Sequence, residues 1–462
     1  MPYYKNPEHY LSYNWDATLT QTTSSQGNYF SFPSIPNLRN NRTGTAWYWN
    51  EQGLLQESKS NEARFDWNPM PDGSIPNMPD ILLEEASTNL ANDRLASSGL
   101  TSWIRTSLIS SNSTNPSPDG RRNGITLIPS TSAPQPASNQ YLRRQFTVAS
   151  NTKTWFSFYV KPTSWNQFGV EIVDNTGTLK TIEISYDLDN MTATQLSSEA
   201  HFIEAEIQPC PNNWYRLIMG FNTSTMTDID VRVGYRQSSG GAMGTVTYLA
   251  RALFWGFQLE NVNLNHATSV IWNDTTGTLS RIEDRVTSTT LSSLRGYSAG
   301  VFGFRYKLFD AHTSAFNRTF GFGNLTTNNF IGLKIQTDNR PFAQIKFNGV
   351  TEFFRQPTAF ASGNPKQWVN IAIGHQLNRA QMWINGVRIQ GLDFACPLFN
   401  SGDYPSELLL DDGGSSTRFF GRIQYVRVWV TDFGSELLDN DRIDKLCYDV
   451  SFNPNKINPW TT

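Results

Sequence analysis

The feature that most limits the fold of this chain is an alternation of apolar and polar residues with a period of two. In "TWFSFYVKP", Phe156, Phe158 and Val160 fall on one face, and "FGVEIVD", "WYRLIMGF" and "IDVRVGY" repeat the pattern. Such alternation is typical of antiparallel strands that have one face in a core. Turn-forming strings such as "DNTG" and "PNN" separate the runs. Residues 81–287 are therefore predicted to form a β-sandwich.

A second series of alternating runs begins near residue 298 and includes "VFGFRYKLF", "FIGLKIQ", "AQIKFNG", "WVNIAIG" and "YVRVWV". Asn385-Gly386 in "QMWINGV" is the dipeptide preferred in a tight hairpin turn. The only convincing helix is the short "SELLDNDRIDKL", with Ser435 as its N-cap. The sequence thus predicts an all-β protein, with a second antiparallel sandwich over residues 288–462.

Residues 1–80 are rich in Asn, Pro, Ser and Tyr and contain turn-forming strings such as "SFPSIPNLRNNRTG". We interpret this segment as an extended arm. Its aromatic content is typical of a segment that docks on a surface. Two surfaces are possible, another protein or the downstream domain of the same chain, because both would bury the same aromatic side chains.

Composition excludes several classes of function. The formal net charge of -3 argues against nucleic-acid binding, which favours a strongly basic surface. No apolar run approaches the ~20 residues of a membrane-spanning helix. The N-terminus "MPYYKNPEHY" lacks the apolar segment of a secretion signal. If the protein acts outside a cell, we expect it to leave by another route such as lysis. The three cysteines and five histidines are scattered and predict no cofactor.

A search for catalytic acids gives no convincing pair. A glycosidase needs two carboxylates that face one cleft, about 5–10 Å apart. Glu183 and Asp187 share a strand face, with Asp189 beyond, but residues 187–190 ("DLDN") also form a plain turn motif. We interpret the segment as a turn and expect the protein not to be an enzyme.

One short string could hold a cation. Asp411 and Asp412 in "LLLDDGGSS" end a strand before two glycines, and calcium prefers six to eight oxygen ligands. The alternative, a tight turn with solvated acids, is favoured. A structural calcium ion at Asp411 and Asp412 is therefore only a candidate.

Residues 45–286 resemble a module that recurs in bacteriophage virion proteins. The resemblance is carried by "WGFQLE" (255–260), "ATSVI" (267–271), and the Thr-Gly, Arg and Asp of "TGTLSRIED" (276–284). Upstream, "GLLQESKSNEARFDWNP", "ILLEEASTNL", "SPDG", "FSFYVKP" and "NNWYRL" keep the order of that module. The resemblance implies a tail, fibre or head-spike component with a carbohydrate-binding fold, assembled in the host cytoplasm.

Within the module, four polar residues are expected to have structural roles. We expect Arg281 and Asp284 to pair with each other or to cap a strand at the crossing into the second domain. Gln258 and Glu260 are expected to satisfy backbone groups of the adjoining loop.

The C-terminal part resembles a laminin-G or concanavalin A-like jelly roll. The resemblance lies in "QWVNIAIGHQLNRAQMWINGV" (367–387) and "FFGRIQYVRVWVTDF" (419–433). Asn385 stands where that family often has Asp.

Candidate sugar-binding residues follow from the alternation in the second domain. The face turned away from the core would be basic and aromatic, which would suit an acidic polysaccharide. It would carry Arg305, Lys307, Lys334, Gln344, Lys346, Trp368, Asn370, Gln381, Trp383, Tyr425, Arg427 and Trp429. In the first domain, Trp165 is the best candidate for an exposed aromatic side chain, with Trp103 and Trp272 behind it. The alternative is that the basic face packs on the first domain or on a neighbouring copy.

Together these features predict a non-enzymatic virion protein that displays two sandwiches for attachment to host surface glycans. Other virion proteins would bind the arm at residues 1–80. A homo-oligomer is expected, with a trimer by analogy, because many copies strengthen weak sugar binding. Two alternatives stay open: a decoration or adaptor protein without a ligand, and a capsule depolymerase.

Overall fold

A computed structural model describes most of the chain. The described residues are 11–14, 23–24, 27–28, 38–40, 42, 44, 46–77, 79–93, 95–96, 99–100, 102–130, 140–176, 181–237, 243, 246, 249–273, 275, 277–288, 297–309, 318–324, 329–335, 340–347, 350–354, 367–376, 379–389, 407–409, 419–432 and 447. The helix expected at residues 435–446 lies outside this part of the chain. None of the helices in the described part is long and apolar enough to cross a membrane.

Two antiparallel sheets form the first sandwich. Sheet 1 has six strands, in the order β12 (Ile104–Thr106), β15 (Tyr141–Thr147), β22 (Asp228–Tyr235), β17 (Gln167–Asp174), β18 (Thr181–Asp187) and β19 (Thr192–Gln195). Sheet 2 has eight, namely β13 (Leu108–Asn112), β14 (Ile125–Pro129), β23 (Ala252–Asn261), β16 (Lys153–Pro162), β21 (Trp214–Asn222) and β20 (Phe202–Cys210), with β9 (Ser87–Asn89) and β24 (Leu279–Arg281) at one side. A 3₁₀ turn, Pro211–Asn213, joins β20 to β21.

Two further antiparallel sheets form the second sandwich. Sheet 3 contains β33 (Val387–Arg388), β32 (Arg379–Ile384), β31 (Val369–Gln376), β26 (Tyr297–Leu308), β35 (Gly421–Asp432), β8 (Asp80–Leu83) and β7 (Phe65–Asp66), and β1 (Leu11–Asn14) also pairs with β35. Sheet 4 contains β30 (Val350–Phe354), β29 (Pro341–Phe347), β28 (Asn329–Ile335), β27 (Arg318–Asn324), β34 (Glu407–Leu409), β25 (Val286–Ser288) and β4 (Leu38–Asn40). Three two-stranded ribbons complete the described strands: β2 (Thr23–Ser24) with β3 (Gly27–Asn28), β5 (Ala46–Trp49) with β6 (Leu55–Ser58), and β10 (Leu95–Ala96) with β11 (Gly99–Leu100).

Each sandwich has its own apolar core, formed by the alternating residues that the sequence places on one strand face. Phe156, Phe158 and Val160 are fully buried in the first core, and Phe302 and Phe304 are fully buried in the second. The prediction of an all-β protein with antiparallel sandwiches is confirmed. The predicted turn is also present: Asn385 and Gly386 have positive φ angles of 47° and 80°, as a tight hairpin between β32 and β33 requires.

The described strands of the N-terminal arm pair with the arm's own chain. In sheet 3, β1 pairs with the Arg427–Val430 part of β35, and in sheet 4, β4 pairs with β25. Trp47 and Trp49 are buried in the first core. For these strands, docking on the same chain is the alternative that the structure shows.

The strand at residues 80–83 joins the second sandwich, although it precedes the first sandwich in sequence. β8 pairs with residues 421–423 of β35 on one side and with β7 on the other. The expected boundary after residue 80 thus falls inside a strand of sheet 3, and the two sandwiches are joined by strands that cross between them.

Candidate functional site

A concavity lies where the outer face of sheet 2 meets the arm and the second sandwich. We call it the inter-sandwich cleft; its volume is about 530 Å³. Its walls combine aromatic side chains with acidic, amide and basic groups. Clefts at domain junctions with this mixture are the usual location of small-molecule sites.

One wall of the cleft is the edge strand β20. Glu204, Glu206 and Gln208 line the cleft. Ala205 packs against the first core, and Ile207 both packs against that core and borders the cleft. The alternation of the strand therefore directs three polar side chains toward one space. Glu206 is exposed, and its side chain has no hydrogen-bond or ion-pair partner among the described residues.

The opposite wall comes from the arm. Tyr48 and Trp49 of β5 line it, and the segment from Asp66 continues it. Arg422 of β35 fixes that segment, because its guanidinium binds Asp66 Oδ2 at 2.6 Å and Asn68 Oδ1 at 3.0 Å. The second sandwich thus holds the arm wall in place.

Aromatic stacking closes one end of the cleft. The rings of His266 and Phe309 lie 4.6 Å apart at an interplanar angle of 29°. His266 Nε2 is 3.7 Å from Glu85 Oε2. Phe309 is partly exposed and also faces the Arg422 guanidinium, whose Cζ lies 5.9 Å from the ring centre. The half-exposed Phe309 ring offers an apolar surface to a ligand.

The floor of the cleft is rigid. Arg216 donates to Ser157 Oγ at 2.9 Å and to the Thr268 carbonyl oxygen at 2.6 Å, and it lies over the Tyr159 ring. Trp155 covers Gly220, where a β-carbon would stand 2.5 Å from the indole. A side chain larger than glycine at residue 220 would therefore displace the floor.

At the floor, polar residues of the sequence motifs around Arg64, Ser269 and Arg281 converge on Glu84. Its carboxylate accepts Arg64 at 2.7 Å and Arg281 at 2.8 Å. The backbone N–H and the hydroxyl of Ser269 each donate to it at 2.6 Å. Glu84 is buried, and every contact is charged or hydrogen-bonded, as a buried carboxylate requires.

The sequence predicts that Arg281 and Asp284 pair with each other or cap a strand. They do not pair with each other, but Asp284 Oδ2 accepts the Glu84 N–H at 2.9 Å and Arg281 donates to the Glu85 carbonyl oxygen at 2.9 Å. Arg281 binds Glu84, and Asp284 binds Arg42 at 3.0 Å together with Arg64. Three arginines and two acids therefore form one buried cluster, which we call the Arg-rich cluster. Its partners are as much as 242 residues apart in sequence, so proximity along the chain could not reveal them.

The structural roles predicted for Gln258 and Glu260 are confirmed. Gln258 Oε1 accepts the backbone N–H of Ile271 at 2.8 Å. Glu260 accepts the backbone N–H and the hydroxyl of Thr268, at 3.0 and 2.6 Å. Both side chains hold the loop that borders the cleft.

Two buried acids near the cleft have opposite pKa shifts. Burial alone would raise the pKa of Glu84, but Arg281 and Arg64 overcome it and hold that pKa well below its ordinary value. Burial raises the pKa of Asp80 to about 7, and nearby Asp66 adds to the rise while Arg422 opposes it. Arg422 lies 3.7 Å from Asp80 and does not offset the burial of that carboxylate.

The predicted basic and aromatic face of the second domain is not a single face. Arg305 and Trp383 are in sheet 3, whereas Lys346 is in sheet 4. Because both sheets turn their apolar faces to the shared core, Lys346 lies on the opposite side of the sandwich. Arg305 is half-buried and stacks over Trp368 at 5.2 Å. Of that predicted set, Lys307 lines the cleft.

The tryptophans proposed for the first domain are not exposed. Trp165 is half-buried against the first core, and its indole N–H donates to the Arg236 carbonyl oxygen at 2.7 Å. Trp103 and Trp272 are 4% and 2% exposed. These aromatic side chains pack in or against the first core, although turn residues lie next to them in sequence.

Four predicted residues lie outside what the structure describes. Arg427 and Trp429 are in the backbone of β35, but their side chains are not described. Asp411 and Asp412 are outside the described residues, and a calcium ion there stays a prediction. Within the described part, no group of three or more His, Cys, Asp or Glu side chains could hold a metal ion.

Glu183 and Asp187, the acid pair considered for catalysis, bind different partners. Asp187 accepts the backbone N–H groups of Asp189 and Asn190 at 3.0 and 3.1 Å, which confirms the turn. Glu183 pairs with the buried Arg236 and faces Glu171 across the strands. Sequence reasoning passed over Glu204 and Glu206, although the alternation in "EAEIQ" was a usable signal.

Comparisons with known proteins give structural similarities only. No protein-family model and no curated protein matches the chain. The carbohydrate-binding module CBM40 of the Ruminococcus gnavus IT-sialidase is 15% identical, over 34% of this chain and 86% of that one, with a TM-score of 0.25. The CBM22-1 xylan-binding domain of Paenibacillus barcinonensis Xyn10C is 13% identical, over 39% and 99%, with a TM-score of 0.26. Domains LG4-5 of the mouse laminin alpha1 chain are 11% identical, over 65% and 89%, with a TM-score of 0.21. At these TM-scores, the site has to be argued from its own residues.

Proposed function

We propose that this chain is a bacteriophage virion protein that attaches to host surface glycans, and that the inter-sandwich cleft holds the sugar. The observation that carries the proposal is the composition of the cleft, where Glu204, Glu206 and Gln208 line the same space as the aromatic rings of Tyr48 and Phe309. A sugar ring needs an apolar surface for its C–H face and acceptors for its hydroxyls. The cleft offers both across one space.

The polar wall favours a neutral glycan. Carboxylates accept hydrogen bonds from sugar hydroxyls more strongly than neutral acceptors do. Glu206 is exposed at the mouth, so it would repel a uronic or sialic acid. The expectation of an acidic polysaccharide depended on the basic face, which the two sheets of the second sandwich divide.

The virion assignment is supported by the ordered motifs of residues 45–286. Their polar residues form one buried cluster, which gives a physical reason why they occur together. The location on the virion, the binding of other virion proteins by residues 1–80 and a homotrimer belong to the proposal. Multiple copies would make weak binding effective.

The proposal is binding without bond cleavage. Glu204 and Glu206 are two residues apart on one strand, which separates them by about 7 Å. That spacing suits an inverting glycosidase, which needs about 6.5–9.5 Å. Both acids, however, lie on the same wall, whereas an acid and a base must flank the scissile bond.

A glycan array followed by calorimetric titration of the full chain tests the proposal. We expect Glu206→Gln to weaken binding of the best glycan about tenfold, the loss of roughly one charged hydrogen bond. Glu57→Gln is the matched control, since Glu57 is an exposed glutamate on β6 outside the cleft. Equal affinities of wild type and Glu206→Gln would remove the cleft as the site, and no bound glycan would favour the adaptor alternative. Release of reducing sugar that Glu206→Gln abolishes would favour the depolymerase.

A further inference from the structure

The chain contains two nearly identical turns in very different environments. "NPMPDGS" (68–74) and "NPSPDGR" (115–121) share the pattern N-P-x-P-D-G. Both are closed by the same hydrogen bond, from Gly73 N–H to Met70 O at 2.8 Å and from Gly120 N–H to Ser117 O at 2.9 Å. The aspartates Asp72 and Asp119 therefore occupy equivalent positions.

The first aspartate is solvated and locally satisfied. Asp72 accepts the Ser74 N–H at 2.9 Å and the Ser74 hydroxyl at 2.6 Å. These bonds lower its pKa. The Asp72 carboxylate therefore needs no further ligand.

The second aspartate is enclosed. The Asp119 side chain is 1% exposed, and its ion-pair partner Arg121 lies 3.9 Å away with 63% of its side chain exposed. Asp119 accepts the Asn123 amide at 2.9 Å and the Arg121 N–H at 3.0 Å. Burial raises the pKa of Asp119, because these contacts do not fully replace water.

Two further side-chain oxygens of the same turn are buried and have no partner among the described residues. They are Ser117 Oγ and Asn123 Oδ1, and Ser117 is 2% exposed. A β-carbon on Gly124 would stand 2.9 Å from Ser117 Oγ, so this hydroxyl lies against the residue that follows Asn123. A buried oxygen acceptor without a donor is costly, and such groups are rare.

We infer that the turn at residues 117–123 binds a calcium ion through Asp119, Asn123 and Ser117. Carboxylate, amide and hydroxyl oxygens are the ligands of hard cations, and calcium accepts irregular sets completed by backbone carbonyls and water. Magnesium demands a near-ideal octahedron and is disfavoured here. The ion would neutralise the enclosed carboxylate, which exposed Arg121 does only weakly.

The ion would also fix the arm next to the cleft. The Leu55 N–H donates to the Pro118 carbonyl oxygen at 2.9 Å, and Gly120 packs on Leu54. Leu55 lines the cleft, so ordering the turn would order one edge of its wall.

The test is calcium binding by the full chain, measured by equilibrium dialysis and thermal unfolding after treatment with a chelator. We expect a Kd of roughly 0.1–1 mM. A tenfold excess over Kd should raise Tm by about 3 °C. Magnesium at the same concentration should not. Asp119→Asn should lower the calcium bound by one ion per chain, whereas Asp72→Asn in the matched turn should not change it.

If Asp119→Asn does not fold, Ser117→Ala provides the test of calcium binding. In chelator its Tm should equal or exceed that of the wild type, because a buried unpartnered hydroxyl is removed. In calcium its affinity should fall about tenfold. Equal calcium binding by wild type, Asp119→Asn and Ser117→Ala would overturn the inference and assign the oxygens to ordered water.

Discussion

Two carboxylate–arginine clusters lie at the junction of the sandwiches, and they differ in their ratio of charges. The Arg-rich cluster has Arg42, Arg64 and Arg281 for Glu84 and Asp284. The second, which we call the Arg422 cluster, has one arginine for Asp66 and Asp80. In the first, the pKa of Glu84 falls; in the second, that of Asp80 rises to about 7. Glu84 has two arginines at 2.7 and 2.8 Å and two hydrogen bonds from Ser269, whereas Arg422 is 3.7 Å from Asp80. Close cations and donated hydrogen bonds, more than depth of burial, separate the two carboxylates.

Removing an acid from the Arg-rich cluster should have the largest effect on the free energy of unfolding. Asp284→Asn takes away the partner of Arg42 and Arg64, leaving buried cations under-compensated. We expect a loss of about 3–5 kcal/mol in the free energy of unfolding. Urea denaturation measures it, with exposed Glu57→Gln as the control expected to stay within about 0.5 kcal/mol. A loss below about 1 kcal/mol would mean that the cluster is not desolvated as described.

Removing the single cation of the Arg422 cluster should have a smaller, pH-dependent effect. Arg422→Met frees Asp66 and Asn68 from the second sandwich. We expect a loss of about 2–3 kcal/mol at pH 8. At pH 5 the loss should be smaller, since Asp80 is then protonated and needs less compensation. Equal losses at both pH values would show that Arg422 does not compensate Asp80.

The smallest expected effect isolates Asp80 itself. Its pKa is about 7 in the folded chain and 3.8 as the ordinary value, so the folded state binds the proton more tightly between these limits. The contribution of Asp80 to stability is therefore fully present below pH 4 and is lost as pH rises through 7. Between pH 5 and 7 we expect the wild type to lose about 1–2 kcal/mol relative to Asp80→Asn. Arg422, Asp66, Arg305 and Lys307 are the charged groups that act on it.

Parallel urea titrations of wild type and Asp80→Asn at pH 5, 6 and 7 give this difference. Glu84 works in the opposite direction, because its lowered pKa makes its stabilisation disappear only as pH falls below its ordinary value of 4.5. A difference between the two proteins that does not change with pH would show that Asp80 is ionised throughout.

Strand alternation predicted the fold because one period decides which face of each strand enters a core. Phe156 and Phe304 are buried for that reason. The same rule cannot assign strands to sheets, and so Arg305 and Lys346 were combined on one face although β26 and β29 are in different sheets. The alternation rule also cannot identify which side chains bind each other. The glutamate that binds Arg281, for example, lies 197 residues upstream.

The cleft was less predictable than the fold. Glu204 and Glu206 could be recognised as outward residues of one strand, but the opposite wall comes from Tyr48 in the arm and Phe309 in the second sandwich. Three segments that are distant in sequence form the cleft. Neither their composition nor their spacing indicates that they lie close together in the fold.

The pairing of β35 with both β8 and β1 has a consequence for how the chain is made. A ribosome delivers the two early strands hundreds of residues before their shared partner at residues 421–432. Until then their hydrogen-bonding edges stay open to wrong neighbours. Assembly of sheet 3 must await the synthesis of residues 421–432 and then close a very long loop, so this topology favours slow folding.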